Sequence, residues 1–399
     1  MGSTAGVEQL YPYNGIDSLS SLKAAIVDAR PDLIVPCDDG VVWQLHDLHE
    51  KYPEMRPLIE YSLGPAEMYP EIRSRAGLLR IAAELGIRTP AIQTVATEQD
   101  LAHWGQPGGV LKLDGTWGGA GVEIARNADE AQAAYRRLAK PKGASLAWKR
   151  LVVNRDPIAL WWWRKHETPN VTIQEFIPGR PANTMFACWQ GELLETVTVE
   201  VMFSQGATGA ATVVRVIRNA EIEQAARLLA KRLHLSGFHG LDFMMESRTN
   251  APFLIELNPR STQLGHFNLP NQGDLAGALI AGITGERARQ RNKPIEGDTI
   301  AFFPQAMRQN PNNPYLHRGY HDVPWEQPEL FRLLLQEPWP DRQLAARIYH
   351  FFRPPKPQKE KSFETVDRNE GYAAVDSGEY SGVSKPAYFA PGTPDLKRL

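Results

Sequence analysis

Residues 240–260 read GLDFMMESRTNAPFLIELNPR. Two runs of alternating, mostly apolar residues flank a polar turn, which is the pattern of a β-hairpin. Folding about Thr249 pairs Glu246 with Pro252, Met244 with Leu254, Asp242 with Glu256 and Gly240 with Asn258. All of these share one face, because side chains repeat with period two along a strand. Directly opposed residues have Cβ atoms roughly 4.5–5.5 Å apart, and like charges placed there destabilise a sheet. Two facing carboxylates with an amide oxygen beside them therefore call for a cation. Oxygen ligands of this hardness suit Mg²⁺, with Mn²⁺ an alternative; such an ion keeps waters and shares its remaining positions with phosphate. A β-bulge, or a slip by two residues, moves Glu256 off Asp242.

Working outward, the chain of 399 residues is long enough for two or three domains with a substantial core. Its net charge of −2 makes no electrostatic case for nucleic acid or an anionic membrane as partner. Cys37 and Cys188 lie far apart and form no CxxC pair, which fits a reducing cytoplasm and argues against a disulfide framework or a zinc site. The opening MGSTAGVEQL lacks a basic-then-apolar signal pattern. No apolar run approaches the ~20 residues that span a bilayer. The expectation is a soluble, cytoplasmic, mixed α/β and α+β chain.

Helical spacing over 18–30 leads into an apolar strand over 33–37, which ends in the turn Asp38-Asp39-Gly40. A second helix over 71–85 closes at Gly86, a residue suited to the left-handed position past a helix end. Residues 1–88 thus read as a truncated Rossmann-like domain, half of a doubly wound unit that lacks its first strand. Such an unfinished sheet could be completed by a second copy, which leaves a homo-oligomer open beside a monomer. Short strands follow at 91–95, 109–113 and 122–125, with helices capped by Thr97 and by Asn127 or Asp129. Further strands fall at 171–177, 184–189, 193–203 and 211–217, and Asn219 caps a helix that runs to Leu235. Residues 274–283 form a buried helix of small residues, 296–352 an aromatic and proline-rich extension, and 353–399 a stretch too polar to bury a core, read as a mobile tail.

Two more motifs carry chemistry. In VLKLDGTWGGAGV, residues 110–122, a strand presents Lys112 and a loop with Gly115, Gly118, Gly119 and Gly121 returns to the next strand. Glycines let backbone N–H groups approach a phosphate closely, and a lysine adds a point charge. No GK[ST] opens a helix here, so this is neither a P-loop nor a Rossmann fingerprint; a plain glycine-rich turn with a solvated lysine is the competing reading. The second motif, IQEFIPG at 173–179, is a strand meeting a Pro-Gly turn, whose exposed backbone end can offer N–H and C=O groups to a flat ring. Arg215 and Arg218 near a strand end, His266, and the run Trp161-Trp162-Trp163 are lesser candidates, each as readily a solvated or packing residue.

Taken in this order the three motifs resemble the ATP-grasp superfamily over about residues 75–285. The resemblance implies one ATP-grasp domain at 89–295, with two α+β subdomains (about 89–168 and 171–290) holding ATP between them. It implies that Lys112 contacts ATP phosphates and that the loop from Gly115 through Gly118 and Gly119 to Gly121 closes over them. By the same resemblance Gln174, Glu175, Phe176 and Ile177 hold adenine, largely through main-chain groups. Asp242, Glu256 and Asn258 match metal-ligand positions, Arg260 matches an arginine facing the reacting phosphoryl group or substrate, and Arg75 matches a phosphate-contacting base. Two departures stand out: the carboxylate that usually holds ribose is replaced by Arg180, Pro181, Ala182 and Asn183, and the N-terminal βαβ start is missing.

The implied activity is an ATP- and Mg²⁺-dependent ligase that activates a carboxylate as an acyl phosphate for an amine or similar nucleophile, with ADP formed. Alternatives are a kinase or carboxylase-type activity on the same fold, and a nucleotide-binding module without turnover. The partners are then ATP and small carboxylate and amine substrates, with no nucleic acid and no membrane.

Overall fold

A computed structural model of the chain describes residues 4, 6–105, 108–115, 121–140, 170–269, 273–286, 295–336, 344 and 360–363. All of them belong to one compact unit, Met1–Val366. Gly118, Gly119, the three tryptophans at 161–163 and residues 364–399 lie outside the described residues.

The N-terminal part is helical. Helices α1 (Ser18–Ala29), α2 (Asp39–Lys51) and α3 (Arg56–Leu63) pack around Leu45, Leu48, Ile59 and Leu63. The segment expected as a strand at 33–37 joins no sheet; its Pro36 carbonyl accepts from Ser261 N at 3.0 Å and Ile34 N donates to Ser62 Oγ at 3.0 Å. Asp38-Asp39-Gly40 opens a helix instead of making a turn, because Asp38 Oδ1 caps it by accepting from Gly40 N at 2.8 Å and Val41 N at 3.3 Å. With no strand before Ile92 among the described residues, the sheet edge that the sequence reading offers to a second copy is absent there.

The helix expected over 71–85 divides at Ser74 into α4 (Tyr69–Arg73) and α5 (Arg75–Glu84). Ser74 Oγ accepts from Gly77 N at 3.0 Å, so a new helix starts there, with Arg75 as its first residue. Gly86 sits past the end with φ +77°, as its position requires.

Two sheets follow, the first antiparallel throughout and the second antiparallel except for one parallel pair at its edge. The first, ordered β1-β4-β2-β3, is built from β1 (Ile92–Val95), β2 (Gly109–Leu113), β3 (Val122–Ala125) and β4 (Val171–Gln174). Helix α6 (Ala128–Leu138), capped by Asn127 as expected, packs with this sheet around Leu111, Ala134 and Ile173. Strand β4 stops three residues before the expected end, since Pro178 lacks a donor and the chain turns toward the next sheet.

The second sheet contains β5 (Gly179–Trp189), β6 (Glu192–Gln205), β7 (Ala211–Val216), β8 (Gly237–Glu246) and β9 (Pro252–Asn258). A short pair, β10 (Asn268–Leu269) and β11 (Gly273–Asp274), stands apart from it. The large sheet then gains β12 (Thr299–Phe302) and β13 (Tyr320–Asp322) and runs β13-β12-β7-β6-β5-β8-β9. Helix α7 (Ala220–Arg232), capped by Asn219, and helix α5 cover one face through Phe186, Leu229, Leu241 and Phe243. Helix α8 (Leu275–Thr284) covers part of the other face through Met185 and Val197. Alternation along β5 and β8 therefore puts Asn183 and Asp242 on the face away from Phe186 and Phe243.

Within the stretch read as tail, β14 (Glu360–Ser362) pairs with Phe203–Gln205 of β6, and Phe363 is buried. A polar segment gains order here through sheet hydrogen bonds and one aromatic anchor, which composition alone undervalues. Among the described residues no helix is long and apolar enough to cross a membrane.

Candidate active site between the two sheets

The β8–β9 hairpin pairs Gly240 with Asn258 and Asp242 with Glu256, as its sequence demands. Nearer the turn the register differs by one: Met244 faces Phe253 and Met245 faces Pro252, rather than Met244 facing Leu254 and Glu246 facing Pro252. A bulge between the Asp242 and Phe243 pairs absorbs the difference by leaving Ile255 as the extra residue. The bulge thus falls on the turn side of the carboxylate pair and keeps that pair opposed. It also turns the Ile255 carbonyl to Lys112, whose Nζ donates to it at 3.4 Å.

Asp242 is held on both oxygens by amides: Asn183 Nδ2 donates to Oδ1 at 2.6 Å and Asn258 Nδ2 to Oδ2 at 3.1 Å. Burial, and then the facing Glu256, raise its carboxyl above the ordinary range. Glu256 moves the other way. Its burial works against ionisation, but Arg75 and Lys112 outweigh it and lower the carboxyl. Arg75 Nη2 donates to Glu256 Oε1 at 2.7 Å and Arg75 Nη1 to Asp114 Oδ1 at 2.9 Å. Asp114 in turn accepts from Asn170 Nδ2 at 2.7 Å. Arg260 Nε donates to Asp39 Oδ2 at 2.7 Å, and its Nη2 to Asn258 Oδ1 at 3.3 Å.

Lys112 is only 4% exposed. Burial brings its ammonium down to about 8, although Glu256 pulls the other way. Removing a compact charge from water costs more than one or two partly screened partners return.

These groups line a cavity of about 440 Å³ between the sheets, within the range typical of small-molecule sites. Its wall includes Gly115, Gln174, Glu175, Phe176 and Ile177 beside the charged set. Gly115 and Gly121 both take positive φ, +71° and +76°, where a side chain would be strained. Gln174 is 1% exposed, and its Nε2 has no hydrogen-bond partner among the described residues. A buried unpaired amide donor is costly, and a ligand acceptor in the cavity would relieve it. Glu175 Oε2 accepts from Ala91 N at 3.3 Å, leaving its side chain tied to the β1 segment.

The structure therefore brings Arg75, Lys112, Gly115, Gln174, Glu175, Phe176, Ile177, Asp242, Glu256, Asn258 and Arg260 to one cavity. Arg215, Arg218 and His266 are not among the residues lining it, and His266 Nε2 instead meets Asp322 Oδ1 at 3.0 Å. Sequence reasoning missed Asp114, Asn170 and Asn183, and took Asp39 only as part of a turn over the substrate. Asn183 had a usable signal, because β5 pairs it with Asp242 across the sheet. Arg180, at the position expected to hold a ribose carboxylate, pairs with Glu200 at 2.7 Å.

The hairpin donors suit a hard divalent cation. Asp242, Glu256 and Asn258 offer only oxygen for ligation, and the two carboxylates are directly opposed. Among the described residues no group of three or more His, Cys, Asp or Glu side chains is gathered to hold a metal by itself. Mg²⁺ needs only one or two protein carboxylates when phosphate and water complete its shell.

Residues 154–263 match a family model described as an ATP-grasp domain. No match is found among curated proteins. Solved structures include an L-amino acid ligase from Bacillus licheniformis, 14% identical with a TM-score of 0.47, covering 71% of this chain and 64% of that one. An N5-carboxyaminoimidazole ribonucleotide synthetase from Thermus thermophilus is 16% identical with a TM-score of 0.47, covering 69% and 67%. The biotin carboxylase domain of a 2-oxoglutarate carboxylase from Hydrogenobacter thermophilus is 13% identical with a TM-score of 0.48, covering 70% and 60%. The chain spans 55% of a Campylobacter jejuni biotin carboxylase and 24% of a Rhizobium etli pyruvate carboxylase. Likenesses at this level assign no residue a role.

Proposed function

We propose that this chain, whose residues 154–263 match a model of an ATP-grasp domain, is an ATP- and Mg²⁺-dependent ligase that activates a carboxylate as an acyl phosphate for attack by an amine or similar nucleophile. One observation carries the reading: Arg75, Lys112 and Arg260, from three separate elements, converge on the Asp242–Glu256 pair in a cavity of about 440 Å³. Such a concentration of cations around two carboxylates suits a polyphosphate with its metal better than any neutral ligand.

Phosphoryl transfer needs positioning and charge neutralisation more than covalent help from the protein. Lys112 and Arg75 supply fixed positive charge for the phosphate oxygens. Asp242, Glu256 and Asn258 would hold Mg²⁺, which neutralises charge developing on the transferred group. Arg260, braced by Asp39 and Asn258, orients the substrate carboxylate. A carboxylate oxygen attacks the γ-phosphorus and the bond to ADP breaks. The amine then attacks the acyl carbon, phosphate leaves, and the amine gives up its proton. Both half-reactions need water kept out, because acyl phosphates hydrolyse.

The decisive variant is Glu256→Gln, a near-isosteric loss of one charge. It should abolish ADP formation, by at least roughly a hundredfold, while circular dichroism stays unchanged; normal turnover would sink the assignment. A screen reading ADP and phosphate separates the rivals. Release that requires both a carboxylate and an amine is the expected result. Bicarbonate dependence would mean a carboxylase, ADP without phosphate a kinase, and ATP binding with no ADP from any mixture a module without turnover.

A further inference from the structure

Glu256 already has a cation. Arg75 Nη2 donates to its Oε1 at 2.7 Å, and the same guanidinium reaches Asp114 Oδ1 at 2.9 Å through Nη1. Arg75 is buried, 9% exposed, and its Nε has no partner among the described residues. The guanidinium thus spans from the end of β2 to β9, held at two points with one donor to spare. A divalent ion at Asp242 and Glu256 would share the Glu256 carboxylate, whose Oε1 already accepts from Arg75. Two cations cannot share that carboxylate at full strength, because each would lose Coulomb energy to the other's repulsion.

We infer that Arg75 is an internal counter-ion that keeps the metal site closed, and that a nucleotide polyphosphate opens it by drawing the guanidinium away from Glu256. This rests on the reading of the hairpin as the metal end of an ATP site. The fork of an arginine matches phosphate oxygens at least as well as a single carboxylate oxygen. Asp114 keeps the guanidinium tethered while the Glu256 side is exchanged. Metal and nucleotide are then coupled through one carboxylate. By linkage, whatever factor the nucleotide adds to metal affinity the metal adds to nucleotide affinity.

The test uses Mn²⁺ alone as the probe, with the full chain and no nucleotide, read by the electron paramagnetic resonance of free ion. Arg75→Met removes the cation bonded to Glu256 and should bind Mn²⁺ roughly tenfold or more tighter than the wild type, whereas Arg75→Lys, which keeps a positive charge, should stay near wild type. Arg75→Gln serves as second neutral variant if Arg75→Met does not fold. No gain in the neutral variants, or an equal gain in Arg75→Lys, overturns the exchange. Adding Glu256→Gln to the neutral variant should erase the gain. A gain that survives this double substitution overturns the metal reading of the hairpin as well. A purely structural Arg75 would lower the unfolding temperature in these variants without raising Mn²⁺ affinity.

Discussion

Lys112 shows how one buried residue ties binding to pH. Its ammonium is brought down to about 8 by burial, from an ordinary value of 10.5. The folded value lies below the unfolded one, so its contribution to stability is present above 10.5 and is lost as pH falls through about 8. Nucleotide affinity has the opposite slope, since phosphate needs the charged form. Above pH 8, affinity should fall about tenfold per pH unit, and binding near pH 8.5 should take up a proton. Isothermal titration in buffers of different ionisation enthalpy measures that uptake, and Lys112→Met should remove both the uptake and the pH slope. If the wild type binds without proton uptake at that pH, Lys112 is not the phosphate contact. At this scale the sequence was legible where the pattern is local: alternation alone predicts that Asp242 faces Glu256 and Gly240 faces Asn258, and the structure pairs them so. Asp39 and Asp114 were not legible, because they are defined by Arg260 and Arg75, 221 and 39 residues away.

Among the elements, the hairpin was readable from alternation, but its bulge was not. Alternation predicts parity, and Ile255 reverses parity between the turn and the carboxylate pair. Caps were legible at Asn127 and Asn219, yet Asp38 reads equally as turn or helix start, since both conformations use an aspartate oxygen to accept backbone N–H groups. The join between β4 and β5 depends on a close approach. A Cβ built on Gly179 would lie 1.9 Å from the Met245 carbonyl oxygen across the β5–β8 pair. Gly179→Ala should therefore destabilise by about 2–3 kcal/mol through forced separation of the strands, measured by denaturant unfolding. A change below about 0.5 kcal/mol would mean that the junction yields freely.

For the whole molecule, two sheets around a cleft were within reach of the sequence, whereas the C-terminal contribution was not. Polar composition at 353–399 gives no sign that Phe363 lies 4% exposed against the second sheet, where its amide donates to Met202 O at 2.8 Å. Strand β14 continues along β6 and puts Lys361 and Phe363 in the cavity wall. Phe363→Ala should cost about 3–5 kcal/mol in thermal or denaturant unfolding. A loss under about 1 kcal/mol would show that the strand is not part of the cooperative unit. The strand expected at 33–37 did not form for a related reason: an apolar run becomes a strand only if a neighbour pairs with it, and its hydrogen bonds go to Ser62 and Ser261 instead.

The ion pair between Asp39 and Arg260 has a consequence in time. Arg260 is made 221 residues after Asp39, which at ~5–20 residues per second is roughly 10–45 s of synthesis. For that interval the start of α2 exists without the guanidinium that neutralises it in the finished cleft, and the cleft's last wall, β14, emerges about 100 residues later still. The nascent chain therefore completes its site from the newest end backwards, and a ribosome paused before residue 260 would hold a helical N-terminus with an acidic patch still waiting for its partner.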